Sequence, residues 1–278
     1  MVATNFHTHC QFCDGKGEPR EFVEEAIKRD MKAIGFSSHA PIPFPNDWTM
    51  QDAKVQLYLD TINALKREYH GKIEVYTGLE IDFFEGDRRN IFKRYKVDYQ
   101  IGAVHIFPDP LGDKAFSIDG TREEFEETLN ILFAGDMKSF AESYYRQLIY
   151  MLERHKPEIL GHLDVIKKNN GDDERYFSEK DYWYRSAILE LLDTVQAQKT
   201  IVEVNTGGMI RGFIKEPYPS PWILAECKKR EIPVMISSDA HAAESIDAYF
   251  DEAVALLKEA GYTEHMVLLE GRWQAATL

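Results

Sequence analysis

The sequence has few cysteines and no long apolar run, and each shortage excludes a class of protein. Its 278 residues include three cysteines, Cys10, Cys13 and Cys227, too few for a disulfide framework. No apolar stretch reaches the roughly 18 to 20 residues that span a bilayer. The first ten residues, MVATNFHTHC, lack the basic start and apolar stretch of a signal peptide. We therefore expect a cytoplasmic protein with no membrane partner.

Positive charge is also scarce. The chain has 33 Lys and Arg against 47 Asp and Glu, a formal net charge of −14, and the acidic excess is spread along the chain. Such a surface repels the phosphates of nucleic acids, so we expect no nucleic-acid partner. The 44% hydrophobic and 12% aromatic content is that of a folded globular protein.

Internal repeats, low-complexity segments and a Gly/Ser linker are absent too, so we expect one domain over residues 1–278. Short β-like runs alternate with longer helical patterns. The predicted strands cover residues 3–9, 32–37, 73–83, 99–106, 158–162, 201–205 and 233–238. The predicted helices cover residues 18–29, 52–68, 122–132, 138–154, 179–198, 220–229 and 245–260. This alternation implies parallel strands, and without a Gly-rich dinucleotide fingerprint it favours a β/α barrel over an open sheet.

Histidines collect where these predicted strands end. His7 and His9, in FHTHC, point to the same side of the first strand. Further side chains with metal-ligand chemistry follow in the turns and strand ends: Asp14, His39, Glu80, His105, His162, Asp239 and His241. In a barrel of parallel strands these positions share one rim, the face that carries active sites. Six imidazoles and three carboxylates suit Zn, Fe or Mn and are enough for two or three ions.

Three other histidines, His70, His155 and His265, lie in polar stretches and are predicted to be surface residues. Three divalent ions would bring six positive charges, and the three carboxylates and a bridging hydroxide would remove four. The remaining positive charge favours a small dianion such as a phosphate monoester. The loop VNTGGMIRG adds Arg211 as a candidate phosphate-binding residue, with glycines that permit close backbone approach.

These motifs resemble those of the polymerase and histidinol phosphatase (PHP) family over nearly the full chain. The elements typical of the family as a whole are HTH, GLE, VH, GHLD and SDAH. Within the family, DGKG, SSHAP, GHLDVIKK and NTG followed by YPS resemble the branch of monofunctional histidinol-phosphate phosphatases. The resemblance implies a distorted TIM-like barrel of seven β/α units with three divalent metal ions.

The resemblance also implies how the ligands divide among the ions. The first ion takes His7, His9, Glu80 and Asp239, the second takes Glu80, His105 and His162, and the third takes Asp14, His39 and His241. Asp14 stands where many family members have a histidine. A carboxylate is a harder and more negative ligand, which bears on the identity of the third ion.

The implied reaction is hydrolysis of L-histidinol phosphate to L-histidinol and phosphate, a late step of histidine biosynthesis. A hydroxide bridging two metals would attack the phosphorus, with Glu80 and Asp239 holding those metals. Either His241 or a metal-bound water would protonate the leaving alkoxide. The candidates for contacting the ammonium and imidazole of the substrate are Asp82, Asp164, Phe12 and Phe44.

Three other interpretations use parts of the same pattern. One is a PHP phosphoesterase acting on another small phosphate ester or a nucleotide, although the net charge of −14 disfavours long nucleic acids. An amidohydrolase also begins with HxH, but its bridging ligand is usually a modified lysine, where this chain has Glu80. The third is a metal-binding barrel without activity. Every expected ligand position here carries a competent side chain, which disfavours that reading.

Overall fold

Seven parallel strands form the central sheet of the computed structural model, which describes residues 4–110, 112, 114–171 and 173–278. Their bounds are β1 Thr4–Asn5, β2 Ala33–Phe36, β3 Glu74–Asp82, β4 Tyr99–Ala103, β7 Ile159–Leu160, β8 Ile201–Asn205 and β9 Val234–Ser237. They neighbour one another in chain order, and every pair is parallel. All seven predicted strands are confirmed, apart from Ala3, which lies outside the described residues.

The two edges of this sheet meet just beyond the strand ends. Thr8 forms a parallel bridge with Ala240. The backbone N–H of His9 donates to the carbonyl of Ala240 at 2.8 Å, and that of Ala240 donates to His7 at 3.2 Å. The sheet is therefore a nearly closed, distorted TIM-like barrel, as predicted. The closure brings the histidines after β1 beside the side chains that follow β9.

Helices connect the strands close to the predicted positions. Their bounds are α1 Pro19–Lys28, α2 Asp52–Glu68, α3 Ile91–Arg94, α4 Arg122–Phe133, α5 Met137–His155, α6 Tyr182–Gln198, α7 Gly207–Ile210, α8 Pro221–Lys229 and α9 Phe250–Glu259. The α4 helix begins with a capping box, in which Thr121 and Glu124 each accept from the other's backbone N–H. The last helix begins later than predicted because a 3₁₀ turn over Ala243–Ser245 precedes it. No helix among the described residues is long and apolar enough to cross a membrane.

Two hairpins lie outside the barrel sheet, and the sequence patterns did not predict either. One pairs β5 (Ile106–Pro108) with β6 (Ala115–Ser117) after the fourth barrel strand. The other pairs β10 (Glu264–Leu269) with β11 (Arg272–Thr277). Residues Val267 and Leu268 of β10 pack against side chains from the first positions of the barrel strands, such as Ala33, Tyr99 and Ile201. The second hairpin thus covers the amino-terminal end of the barrel and leaves the opposite end for the site.

His265 lies on β10, and the prediction that it is a surface residue is wrong: it is 4% exposed. Burial lowers its pKa to about 4, against 6.5 for a free histidine.

Between pH 6.5 and pH 4 the His265 side chain binds a proton in the unfolded chain but not in the folded chain, so folding stability falls as the pH drops through this window. We expect His265→Leu to lose less stability than wild type there, measured by thermal unfolding of the metal-free proteins. Equal losses in both proteins would contradict this prediction.

Candidate metal centre

The nine predicted ligands converge at the carboxyl-terminal end of the barrel. Glu80 is the third residue from the end of β3. The other eight predicted ligands lie in the connections that follow the strands. Seven of the nine side chains are buried, whereas Asp14 is exposed and His241 is partly exposed. The prediction that these residue types gather on one rim is confirmed by the fold. Their assignment as metal ligands remains a prediction at this point.

Glu80 is the centre of the cluster. Its Oε2 lies 3.1 Å from His7 Nε2 and 3.3 Å from His9 Nε2, and its Oε1 lies 2.9 Å from His162 Nε2. The same carboxylate is 3.1 Å from His39 Nδ1 and 3.5 Å from His105 Nε2. Five imidazoles therefore face one buried carboxylate. Burial opposes the charge on Glu80, but the surrounding histidines, His39 first among them, hold its pKa well below the usual value.

Around Glu80 the donor atoms fall into compact groups, in each of which they lie within 4.8 Å of one another. These groups are His7, His9 and Asp239; Glu80, His105 and His162; His9, Asp14, His39 and His241; and His39, Asp82 and His105. The second group equals a ligand set that the family resemblance implies, whereas the first lacks Glu80 of the implied set and the third contains His9 in addition. The fourth shares His39 and His105 with the others and adds Asp82.

The outer group is positioned by the turn after β1. The backbone N–H of Lys16 donates to the carbonyl of His241 at 2.7 Å, which docks this turn on the loop after β9. Gly15 has no room for a Cβ, which would lie 2.2 Å from the backbone of His9. Asp14 then reaches His241 Nε2 at 3.1 Å. The surrounding protein partly desolvates this carboxylate, which opposes its ionisation, but the hydrogen bond from His241 lowers the pKa of Asp14.

Asp239 has an unusual backbone conformation for a ligand candidate. Its φ of +49° is in the left-handed region, which costs a non-glycine residue energy and is concentrated at functional sites. The conformation lets Asp239 Oδ1 approach His9 Nε2 at 3.2 Å and Oδ2 accept from Arg211 Nη2 at 2.9 Å. It also allows its carbonyl to lie 2.9 Å from His241 Nδ1. One strained residue thus connects the ligand cluster with the candidate phosphate-binding arginine.

Two buried carboxylates contact the Nδ1 atoms of histidine rings whose Nε2 atoms face the cluster. Glu203 Oε1 lies 2.5 Å from His7 Nδ1, and Asp82 Oδ1 lies 2.9 Å from His105 Nδ1. Burial disfavours charge on both rings, but Glu203 leads the carboxylates that raise the pKa of His7 to about 10. Asp82 likewise holds the pKa of His105 well above its usual value against the effect of burial. Glu203 was missed at the sequence level, although a glutamate in the middle of the apolar strand IVEVN is a usable signal.

The donor set fits divalent cations. His7 Nε2 and His9 Nε2 are 3.0 Å apart, and His105 Nε2 and His162 Nε2 are 3.2 Å apart. Nitrogen atoms this close share either a proton, in a hydrogen bond, or a metal ion that both rings bind. His39 Nδ1 is buried and lies 3.1 Å from Glu80 Oε2, but without the geometry of a hydrogen bond. Imidazole nitrogens with carboxylate oxygens are the ligands that Zn, Fe and Mn prefer.

A cavity of about 410 Å³ opens above the cluster, and seven of the nine ligand candidates line it. Arg211 is in its wall, where Nη1 also lies 3.2 Å from His241 Nδ1. Gly207 allows this approach, because a Cβ there would lie 2.8 Å from Arg211 Nη2. Other lining residues were not predicted from the sequence: Asp47, Trp48, Asp119, Glu124, Lys168 and Phe213. The wall therefore carries charges of both signs and aromatic rings.

The four residues predicted to contact the substrate are not brought to this wall. Asp82 lies 2% exposed beneath His105, and Asp164 is fully buried, accepting from Ser220. Phe12 packs in the core against Tyr58. Only Phe44 is near, in an adjoining cavity that shares Asp47, Trp48, Ser117 and Glu124 with the main one. The sequence placed these residues near the ligand motifs, but the backbone turns the first three side chains inward.

The fold and this cluster define a seven-stranded β/α barrel with a histidine and carboxylate centre of metal-binding type at its carboxyl-terminal mouth. A model of the PHP domain family matches residues 5–207. The chain therefore belongs to the PHP domain family.

The chain is also similar to individual proteins, in sequence and in structure. The histidinol-phosphatase of Bacillus subtilis (strain 168) is 28% identical over 262 residues, covering 87% of this chain and 95% of the relative. A crystal structure of histidinol phosphate phosphatase from Lactococcus lactis, complexed with Zn, L-histidinol and phosphate, superposes with a TM-score of 0.70 at 22% identity, covering 98% of each chain. A crystal structure from Listeria monocytogenes has a TM-score of 0.78 at 22% identity, covering 90% of this chain and 99% of that one. The two structures show the shared barrel fold.

Proposed function

We propose that this protein is a metal-dependent phosphomonoesterase that hydrolyses L-histidinol phosphate to L-histidinol and inorganic phosphate in histidine biosynthesis. The observation that carries the proposal is the convergence of six imidazoles and three carboxylates, seven of which line one cavity. Relatives named histidinol-phosphatase that align over most of the chain support the choice of substrate.

The proposed centre holds three divalent ions, Zn, Fe or Mn, in the three groups that surround Glu80. The first ion would be bound by His7, His9, Asp239 and Glu80. The second would be bound by Glu80, His105 and His162, and the third by Asp14, His39 and His241. When bound, the ions supply Lewis acidity that makes a nucleophile of water and neutralises phosphoryl charge. Glu80 joins the first two groups, since its two oxygens face different histidines. His241 is partly exposed, and it could protonate the leaving alkoxide only when it is not a ligand of the third ion; otherwise water would supply that proton.

The phosphoryl group of the substrate would lie against Arg211 and Lys168. Arg211 has a planar guanidinium suited to bidentate contact with phosphate, and its position is fixed by Asp239. Lys168 lines the same cavity, where its Nζ donates to the carbonyl of Asp119 and lies 4.4 Å from the ring centre of Phe213. Two cations above a metal cluster favour a dianion over a neutral ester.

The ammonium and imidazole of the substrate would lie against the acidic part of the wall. Asp119 and Asp47 line the cavity outside the ligand cluster, so their carboxylates are available to an ammonium group. Trp48 stands edge-on to His39 and His105, with ring centres 4.7 and 5.7 Å away, and offers an aromatic surface to an imidazole. We propose these residues in place of Asp82, Asp164 and Phe12. A cavity whose wall carries both cations and carboxylates fits a zwitterionic phosphate ester.

The test is phosphate release from L-histidinol phosphate and from a panel of glycerol phosphate, p-nitrophenyl phosphate and nucleoside monophosphates. The protein is stripped of metal and then reconstituted with Mn, Fe or Zn. We expect kcat/KM for histidinol phosphate to exceed that of the panel by about 100-fold or more, because several polar groups of the wall are satisfied only by this substrate. Equal, weak rates across the panel would keep the metal centre and reject the substrate. We also propose a cytoplasmic location, which subcellular fractionation would test.

A further inference from the structure

Glu203 is a charged residue in the interior of the barrel. It is the middle residue of β8, between Val202 and Val204, and its exposed fraction is 0%. Isolated charge at such a position is costly unless every oxygen lone pair is matched by a donor. The hydrogen bonds of this carboxylate therefore indicate why the chain tolerates it.

Four donors surround the carboxylate of Glu203. Oε1 accepts from His7 Nδ1 at 2.5 Å and from Ser237 Oγ at 2.5 Å. Oε2 accepts from the backbone N–H of His162 at 2.8 Å and from Asn205 Nδ2 at 3.0 Å. These donors belong to or follow four different barrel strands. With both oxygens filled, Glu203 is outside the groups that could hold an ion.

We infer that Glu203 is a positioning residue that braces two proposed metal ligands at once, His7 through its ring and His162 through its backbone. The inference rests on the metal centre of the proposed function. It also couples the first ligand group, which contains His7, with the second, which contains His162.

The orientation of His7 depends on this contact. With Nδ1 donating to Glu203, the ring turns Nε2 toward the cluster, where it lies 3.1 Å from Glu80 Oε2 and 3.0 Å from His9 Nε2. Among the described residues, Glu203 accepts the hydrogen bond from His7 Nδ1. A carboxylate behind a ligating histidine fixes its tautomer and its ring orientation, and losing such a partner typically weakens metal binding by about 10- to 100-fold.

His162 is held differently. Its backbone N–H, just after the two-residue strand β7, donates to Glu203 Oε2. That short strand has few ladder hydrogen bonds of its own, so the contact with β8 sets where the chain leaves the barrel. His162 Nε2 consequently lies 2.9 Å from Glu80 Oε1. One carboxylate thus determines the positions of two imidazoles that reach opposite oxygens of Glu80.

The test compares metal binding by wild type, Glu203→Gln and Glu179→Gln. Glutamine has nearly the same shape, but its amide nitrogen cannot accept, so two of the four donors lose their partner. Glu179 is the matched control, because it is a partly buried carboxylate that accepts from Ser220 and Trp222 away from the cluster. We expect the Kd for Zn, measured by chelator competition, to rise about 10- to 100-fold in Glu203→Gln and less than about 2-fold in Glu179→Gln. The absorption spectrum of the Co-substituted protein should change only in Glu203→Gln, and KM at saturating metal should stay near the wild-type value.

An unchanged Kd and cobalt spectrum in Glu203→Gln would overturn this inference while the wild type still binds metal. A wild type that binds no metal would instead reject the proposed function. If Glu203→Gln does not fold, the wild type still decides the matter by ¹H–¹⁵N spectra of its histidine rings. The zinc-loaded protein must show His7 protonated on Nδ1 and not on Nε2, and the opposite tautomer would overturn the inference.

Discussion

Replacing Glu80 by glutamine is expected to lower kcat/KM for histidinol phosphate by about 1,000-fold or more. Glu80 lies within 3.5 Å of five histidine nitrogens, and its two oxygens face histidines of both the first and the second ligand group. A neutral amide removes the charge that these imidazoles surround and replaces one acceptor oxygen with a donor. Loss of electrostatic stabilisation at a reacting centre commonly costs factors of about 100 to 1,000, and loss of metal adds to this. The measurement is steady-state phosphate release with metal content determined on the same sample.

Glu153→Gln is the matched control, because it makes the same chemical change on the exposed surface of α5. It should keep the wild-type kcat/KM and metal content. Circular dichroism must show that Glu80→Gln is folded. A folded Glu80→Gln protein that keeps more than about one tenth of the wild-type kcat/KM would remove the cluster from the reaction.

Removing the metal is expected to abolish turnover and to lower the thermal midpoint. Without cations, the first two ligand groups keep the carboxylates of Glu80 and Asp239 and four imidazoles together in a buried space, and only protons can supply positive charge there. An ion that binds only the folded state adds about 2.7 kcal/mol of stability when its free concentration is 100 times its Kd. Differential scanning calorimetry with stepwise addition of Mn, Fe or Zn therefore should show a midpoint that rises with metal concentration.

The control is to repeat the titration with Glu80→Gln, whose midpoint should respond less because its ligand groups are impaired. Phosphate release should return as the midpoint rises in the wild type. Activity of the fully stripped protein equal to that of the loaded protein would contradict the proposed chemistry. A midpoint that does not move while activity returns would restrict the metal to catalysis and exclude a stabilising role.

The core of the site was predictable because it depends on local sequence pattern. Side chains alternate along a strand with period two, so HTH places His7 and His9 on one side before any fold is known. Parallel strands bring their carboxyl ends to one rim, which gathers residues as distant as Asp14, His162 and Asp239. The seven strands themselves were visible as short buried runs between helical patterns.

The residues that line the cavity outside the ligand cluster could not be predicted from local sequence pattern. Asp82 and Asp164 follow the GLE and GHL motifs closely, and proximity in sequence suggested contact with the substrate. The backbone directs both inward, where Asp82 holds His105 and Asp164 accepts from Ser220. Asp119 and Trp48, which line the cavity, lie in connections whose path no periodic pattern specifies.

The sequence alone therefore determined the barrel, the rim and the set of side chains able to bind metal, because strand alternation and parallel order are local or topological rules. The tertiary structure decided which of those side chains meet at Glu80, which end of the barrel the β10–β11 hairpin covers, and which carboxylates support the ligands from behind. Contacts such as Glu203 with His7 join residues about 200 positions apart. They depend on the register and closure of the whole barrel, which the packing of the entire chain sets.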